Sequence, residues 1–150
     1  VPKPDPRHRN DDEDIYDVLS EKKFYYKVID SFVYGIIDRI NIKNGKAEIL
    51  DFKTNRVVNK ESLMKKYSPQ LQLYAKAFSD IYGIEVHSAK LFLLETGEFV
   101  DIDIKNDALY GNLEDLAEFI RFVSSNNDIE NYEKSQICNS YCNFNIICNR

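Results

Sequence analysis

Asp38 and Asp51 lie thirteen residues apart, and Lys53 follows two residues after the second acid. Both acids sit in apolar text, Gly35-Ile36-Ile37-Asp38-Arg39 and Glu48-Ile49-Leu50-Asp51-Phe52-Lys53. A lone carboxylate buried in such surroundings is costly. Two carboxylates and an ammonium converging at strand ends are, however, the parts needed to hold Mg²⁺ and to activate a water against a phosphodiester. The plain alternative is an ion pair of Asp38 with Arg39 or Lys53, because Asp-x-Lys alone is a common sequence.

The elements that must position these groups are legible around them. Phe24 to Ile29 and Phe32 to Ile42 read as strands, rich in aromatic and β-branched residues, with a turn at Asp30-Ser31. Asn44-Gly45 is a two-residue hairpin signal, and Lys46 to Lys53 is its return strand. That turn lies about equally far from both acids, so they should meet across the hairpin. Alternation puts Asp51 and Lys53 on one face and sends Phe52 the other way, into the core. The Phe52 backbone carbonyl is then a further oxygen ligand for a metal.

Residues 15–20 are expected to hold a short helical turn, and residues 54–66 a polar, charged loop with room for a short helical piece. Ser68-Pro69 reads as a helix start, with Leu71, Tyr74, Ala75, Phe78 and Tyr82 at helical spacing and Gly83 as the stop. Gln70 and Tyr74 share one face near that start, suited to phosphate or base contacts, although Tyr74 alone would read as core. Val86 to Leu94 and Glu98 to Ile104 form a second hairpin, and residues 107–124 an amphipathic helix. The order β-β-β-α-β-β-α implies an α/β (α+β) protein, a central mixed sheet flanked by helices.

The bulk numbers agree with one domain. The chain has 150 residues, 43% hydrophobic, with ten Tyr and nine Phe but no Trp, and is expected to bury a single core. Residues 1–20 read as a linker or truncated start, 21–136 as the core, and 137–150 as a cysteine-rich tail. No apolar run is long enough for a membrane span, and a cytoplasmic protein is expected. Net charge is −5, which argues against a nonspecific nucleic-acid coat. Residues 31–70 nevertheless carry eight basic and four acidic groups. That local excess (Lys53, Arg56, Lys60, Lys65, Lys66) suits a phosphate-bearing partner, or is an ordinary solvated loop.

Taken together, Gly35-Ile36-Ile37-Asp38-Arg39, Ile49-Leu50-Asp51-Phe52-Lys53-Thr54 and Gln70-Leu71-Gln72-Leu73-Tyr74 resemble the three motifs of the RecB/AddAB-type nuclease domains of the PD-(D/E)XK superfamily. The resemblance runs over residues 21–148 in the right order. It implies a restriction-endonuclease-like core and Mg²⁺- or Mn²⁺-dependent DNA cleavage, as an exonuclease in repair and recombination, partnered by a helicase domain or a separate helicase chain. Asp38 and Asp51 would hold the metal, Lys53 would be the catalytic lysine, and Gln70 and Tyr74 would contact DNA or orient the site. A CRISPR-associated RecB-like nuclease shares these motifs. An inactive DNA-binding or scaffold domain with a metal-binding cysteine tail is the non-enzymatic alternative.

Two departures from the family pattern stand out. The family places a His or Glu upstream to complete the metal site; His8 lies in linker-like text, and His87 at a strand start reads as structural or exposed. Cys138, Cys142 and Cys148 resemble part of a [4Fe–4S] ligand set, which takes four thiolates. The alternatives are free thiols or a zinc site completed by another group.

Overall fold

The computed structural model describes residues 16–54 and 59–131. Five strands form one sheet in the order β1-β2-β3-β4-β5: β1 Tyr16–Val28, β2 Ser31–Lys43, β3 Lys46–Lys53, β4 Glu85–Leu93 and β5 Glu98–Asp101. The first three make an antiparallel meander, β4 joins β3 in parallel, and β5 returns antiparallel to β4. Helix α1 (Lys60–Tyr82) is the crossover that a parallel β3–β4 pair requires. Helix α2 (Asn106–Ser125) follows β5. This is the expected α+β order with a mixed sheet.

The Asn44-Gly45 turn joins β2 to β3, with both residues at positive φ (50° and 75°), as a tight hairpin of this twist demands. The β1–β2 turn falls at Ile29-Asp30, one residue earlier than its expected place, with Ile29 at φ 55°. Residues 16–20 are strand rather than helical turn. They pair with Arg39 to Lys43, so the long β2 sets the length of β1.

Helix α1 differs most from expectation. It begins at Lys60, capped by Asn59, whose side-chain oxygen accepts from the N–H groups of Glu61 (2.8 Å) and Ser62 (3.4 Å). Pro69 lies inside it. The missing Pro69 N–H leaves the Lys65 carbonyl without its helical donor, a cost that packing offsets. Leu63, Leu71, Tyr74, Ala75 and Phe78 are buried against Ile37, Ile40, Ile49, Leu91 and Leu93, and Tyr67 packs beside them. Gly83 ends the helix in the left-handed conformation (φ 66°), its N–H bonded to Ser79 O at 2.9 Å.

The core therefore lies on one face of the sheet, under α1. Tyr26 on β1 ties down the far end of the helix: its hydroxyl donates to Asp80 (2.6 Å), which also accepts from Lys76. Asn112 of α2 donates to the Pro69 carbonyl (2.7 Å), and Gln72 to the Asp103 carbonyl (2.8 Å).

By its contacts the chain divides into residues 1–117 and 118–150, a division inside α2. The first unit holds the sheet and α1. Of the second, the described part is the end of α2 and a 3₁₀ turn, Ile129–Asn131. Its end is closed by Ser125 and Asn126 bonding back to the carbonyls of Arg121 and Phe122. Among the described residues no helix is long and apolar enough to cross a membrane.

The position of the cap has a direct test in chemical denaturation. Asn59→Ala should lower stability by about 0.5–2 kcal/mol, whereas Ser68→Ala, now mid-helix, should change it by less than about 0.5 kcal/mol. The reverse ranking would restore the start at Ser68.

Candidate functional site

The local geometry begins with a slip in strand alternation. Ile37 and Ile40 both reach the core although they are three residues apart, and on the neighbouring strand Leu19 and Phe24, an odd five residues apart, both face it. The β1–β2 ladder skips the pair Glu21 and Asp38, and Glu21 has φ 49°. A regular strand would turn every second side chain inward, so the irregularity falls on Asp38 and its partner.

At the same point β2 leaves β3. Their ladder ends at Arg39 opposite Leu50, one step short of Asp38 opposite Asp51. Beyond it β2 pairs with β1 and β3 with β4. The Phe52 N–H, which a continued ladder would have used, instead meets the Asp38 carboxylate at 2.9 Å. A residue's N–H and C=O point to the same strand edge, so the Phe52 carbonyl faces this fork as well.

Asp51 lies in the fork. It is 3% exposed and is the one buried polar residue among those described. Lys53 Nζ approaches its Oδ2 to 2.6 Å. That separation is a charge-assisted contact, and among the described residues the Lys53 ammonium is the partner this buried carboxylate oxygen has. Burial pushes the Asp51 carboxyl above the ordinary carboxylate range; Lys53 opposes this, and the charge of Asp38 adds to it. Lys53 is itself largely buried, and its ammonium stands 4.3 Å from the centre of the Tyr67 ring.

This donor set fits a divalent cation with oxygen ligands. Mg²⁺ keeps several waters and binds through one or two carboxylates plus substrate phosphates. Asp38 and Asp51 could supply two, and burial together with the Asp38 charge disfavours the Asp51 carboxylate in a way a cation would relieve. Among the described residues no group of three His, Cys, Asp or Glu side chains comes together. His87 is exposed on β4. His8, Arg56, Cys138, Cys142 and Cys148 lie outside the described residues.

Gln70 and Tyr74 meet each other: Gln70 Nε2 donates to the Tyr74 hydroxyl at 2.8 Å. The Tyr74 ring is buried, edge-on to Phe24 at 5.3 Å. Both rings press on Gly35, where a Cβ would come within 2.5 Å of Phe24 and 2.9 Å of Tyr74. Glycine thus lets the helix-borne tyrosine lie against β2 three residues before Asp38.

Phe52 does not enter the core. It is 37% exposed on the opposite sheet face, edge-on to Phe92 at 5.8 Å, with Phe99 continuing the cluster. The reason is that α1 covers the face of Ile49 and Asp51, so the alternate residue turns away from it. On that open face Glu48 joins Lys90 (2.8 Å), Ser88 and Asn41, linking β2, β3 and β4. Burial raises the Glu48 carboxyl, but these partners more than reverse it and hold it below the usual range. The basic excess is partly neutralised within the protein, as Lys60 pairs with Glu98 (3.2 Å) and Lys53 with Asp51.

Tyr67 is the site residue that sequence reasoning passes over. A helix begun at Ser68 leaves it outside; the spacing Leu63, Tyr67, Leu71 is the available signal.

The family model described as the PD-(D/E)XK nuclease superfamily matches residues 6–149. An ATP-dependent helicase/nuclease subunit of Streptococcus mutans is 35% identical over 75 residues, 49% of this chain and 6% of that protein. The proteins of the same name from Clostridium acetobutylicum (34% over 74 residues, 47% of this chain) and Oenococcus oeni (39% over 70 residues, 43% of this chain) match similarly. The chain spans about 6% of the length of each of these relatives. The crystal structure of SSO0001 shares the fold, with a TM-score of 0.54 at 21% identity over 87% of this chain and 59% of that one.

Two outcomes test the geometry. Gly35→Ala should destabilise the protein by about 1–3 kcal/mol through overpacking, and trimming Phe24 to Leu in the same chain should recover part of that loss. Strict additivity would mean that the two residues do not press on each other. For Asp51, the folded state keeps its proton above the pH at which the unfolded chain releases it. The stability this gives is complete below the ordinary Asp pKa of about 3.9 and is lost as pH rises through the raised folded value. Asp51→Asn should therefore melt higher than the metal-free parent at pH 7, with the gap closing toward about pH 4. A lower melting temperature for Asp51→Asn at pH 7 would contradict it.

Proposed function

The chain belongs to the PD-(D/E)XK nuclease superfamily, and from that membership we propose that its β2–β3 fork is a metal-dependent centre hydrolysing phosphodiester bonds in DNA. The supporting observation is the buried Asp51, its carboxyl pushed up by burial, paired with Lys53 at 2.6 Å and opposite Asp38. The fold is a restriction-endonuclease-like core, a mixed sheet with flanking helices.

In this reading Asp38 and Asp51 hold Mg²⁺ or Mn²⁺, with the Phe52 carbonyl at the same fork. Such an ion, when bound, polarises a phosphoryl oxygen and acidifies a water. The residues of the chain do the rest. Asp38 is held in place by the Phe52 N–H, so its second oxygen stays at the fork. Lys53 carries its charge to the same point, where it orients the attacking water or offsets negative charge growing on the phosphate. Gln70 and Tyr74 act by orienting: the pair fixes the ring that sets β2 through Gly35. Lys65 and Lys66, exposed on α1, suit the backbone of a nucleic acid.

We further propose that the domain acts as an exonuclease within a helicase–nuclease in DNA repair or recombination. That part rests on the name that the relatives share, ATP-dependent helicase/nuclease. A second reading, a DNA-binding or scaffold domain without turnover, is favoured by one observation: only two carboxylates meet at the fork among the described residues.

The two readings part on one assay. A nuclease degrades DNA only with Mg²⁺ or Mn²⁺, and Asp51→Ala or Lys53→Ala should each cut the rate by about 10²-fold or more. Unchanged cleavage in both variants would remove these residues from the centre, and metal-independent DNA binding without cleavage would favour the scaffold.

A further inference from the structure

Among the described residues the ammonium of Lys53 has two neighbours, and they differ in permanence. One is Asp51 Oδ2 at 2.6 Å. The other is the face of Tyr67, 4.3 Å from Nζ to the ring centre. If the fork holds a divalent ion, the Asp51 oxygens turn to that ion and the ion pair with Lys53 weakens. The ring is then the contact that stays.

Tyr67 is suited to the task. It sits on the first half of α1, half-buried, with Leu63 and Leu71 one turn to either side packed into the core. An aromatic face attracts a cation through its quadrupole, more strongly where water is kept away, and the Lys53 side chain is only 17% exposed. Lys66 lies over the same ring at 5.1 Å, so the ring already works as a cation platform. A lysine has four rotatable carbons, and without such a platform its ammonium would sample many positions.

We propose that Tyr67 is the positioning residue of Lys53, holding the ammonium at the fork through its ring face and not through its hydroxyl. This rests on the reading of the fork as a metal-dependent nuclease centre, and its test separates the two claims.

The experiment uses the full chain with Tyr67→Phe, Tyr67→Leu and a pentafluorophenylalanine at position 67. The last keeps the ring's size but reverses its quadrupole, so it answers the question even if the leucine variant folds poorly. The first readout needs no activity: the Lys53 side-chain ¹H–¹³C resonances of the metal-free protein. They should be shifted upfield by the ring in the parent and in Tyr67→Phe, and lie near ordinary lysine positions in Tyr67→Leu. The second readout is Mn²⁺-dependent cleavage of a linear DNA. Tyr67→Phe should retain kcat, while the leucine and fluorinated variants lose about 3- to 30-fold in kcat with KM unchanged, the range a cation–π contact controls. Equal loss in Tyr67→Phe would assign the effect to the hydroxyl and overturn the proposal. Unshifted Lys53 resonances in the parent, or parent-like kcat in the fluorinated variant, would overturn it as well. If the parent cleaves no DNA, the nuclease reading fails, and the resonances alone decide whether Tyr67 holds Lys53.

Discussion

Where β2 parts from β3, the backbone N–H of Phe52 would lose its ladder partner, and the carboxylate of Asp38 takes it at 2.9 Å. Much of the site depends on this bond. It lets two strands of one hairpin join different neighbours without leaving that donor unpaired. It also fixes one acid at the mouth of the fork, opposite the other. The slip of alternation at Glu21 and Asp38 belongs to the same event, since Asp38 reaches sideways to β3 rather than up or down from the sheet.

Asp51 completes the fork at a cost to the metal-free protein. Burial disfavours its charge, the charge of Asp38 adds to that, and the lysine two residues on offsets only part of it. Such a residue is poor material for a core and good material for a cation site. The surrounding packing is what keeps it there. Ile49 and Leu91 are fully buried beside it on the sheet, and α1 closes the face above. Tyr74 adds a second constraint from the helix, through Gly35 onto the strand that carries Asp38.

Much of this is legible from residue types and spacing. The Asn44-Gly45 turn and the equal arms on either side bring Asp38 and Asp51 together, and Gly83 marks the helix end. The failures have physical causes. Pro69 suggests a helix start because proline is favoured in a first turn, but the Asn59 cap and the Leu63–Tyr67–Leu71 stripe outweigh the one lost hydrogen bond. Phe52 is expected in the core because it is large and apolar, yet the helix lies over the face of Asp51, and alternation leaves Phe52 outside. The slip at Asp38 has no local signal: Glu21 and Asp38 are far apart in sequence, and neither is a residue that marks a bulge. Cys138, Cys142 and Cys148 lie outside the described residues.

The central claim is that the fork between β2 and β3 is where a divalent cation binds. Paramagnetic broadening by Mn²⁺ in amide ¹H–¹⁵N spectra tests it, and detects even weak binding. The amides of Ile37 to Arg39 and of Leu50 to Lys53 should broaden first, at the lowest Mn²⁺, and Asp51→Asn should abolish that pattern. A second acidic surface serves as the internal control, the hollow lined by Glu85, His87, Asp101 and Asp103. Broadening that begins there and spares the fork would contradict the account.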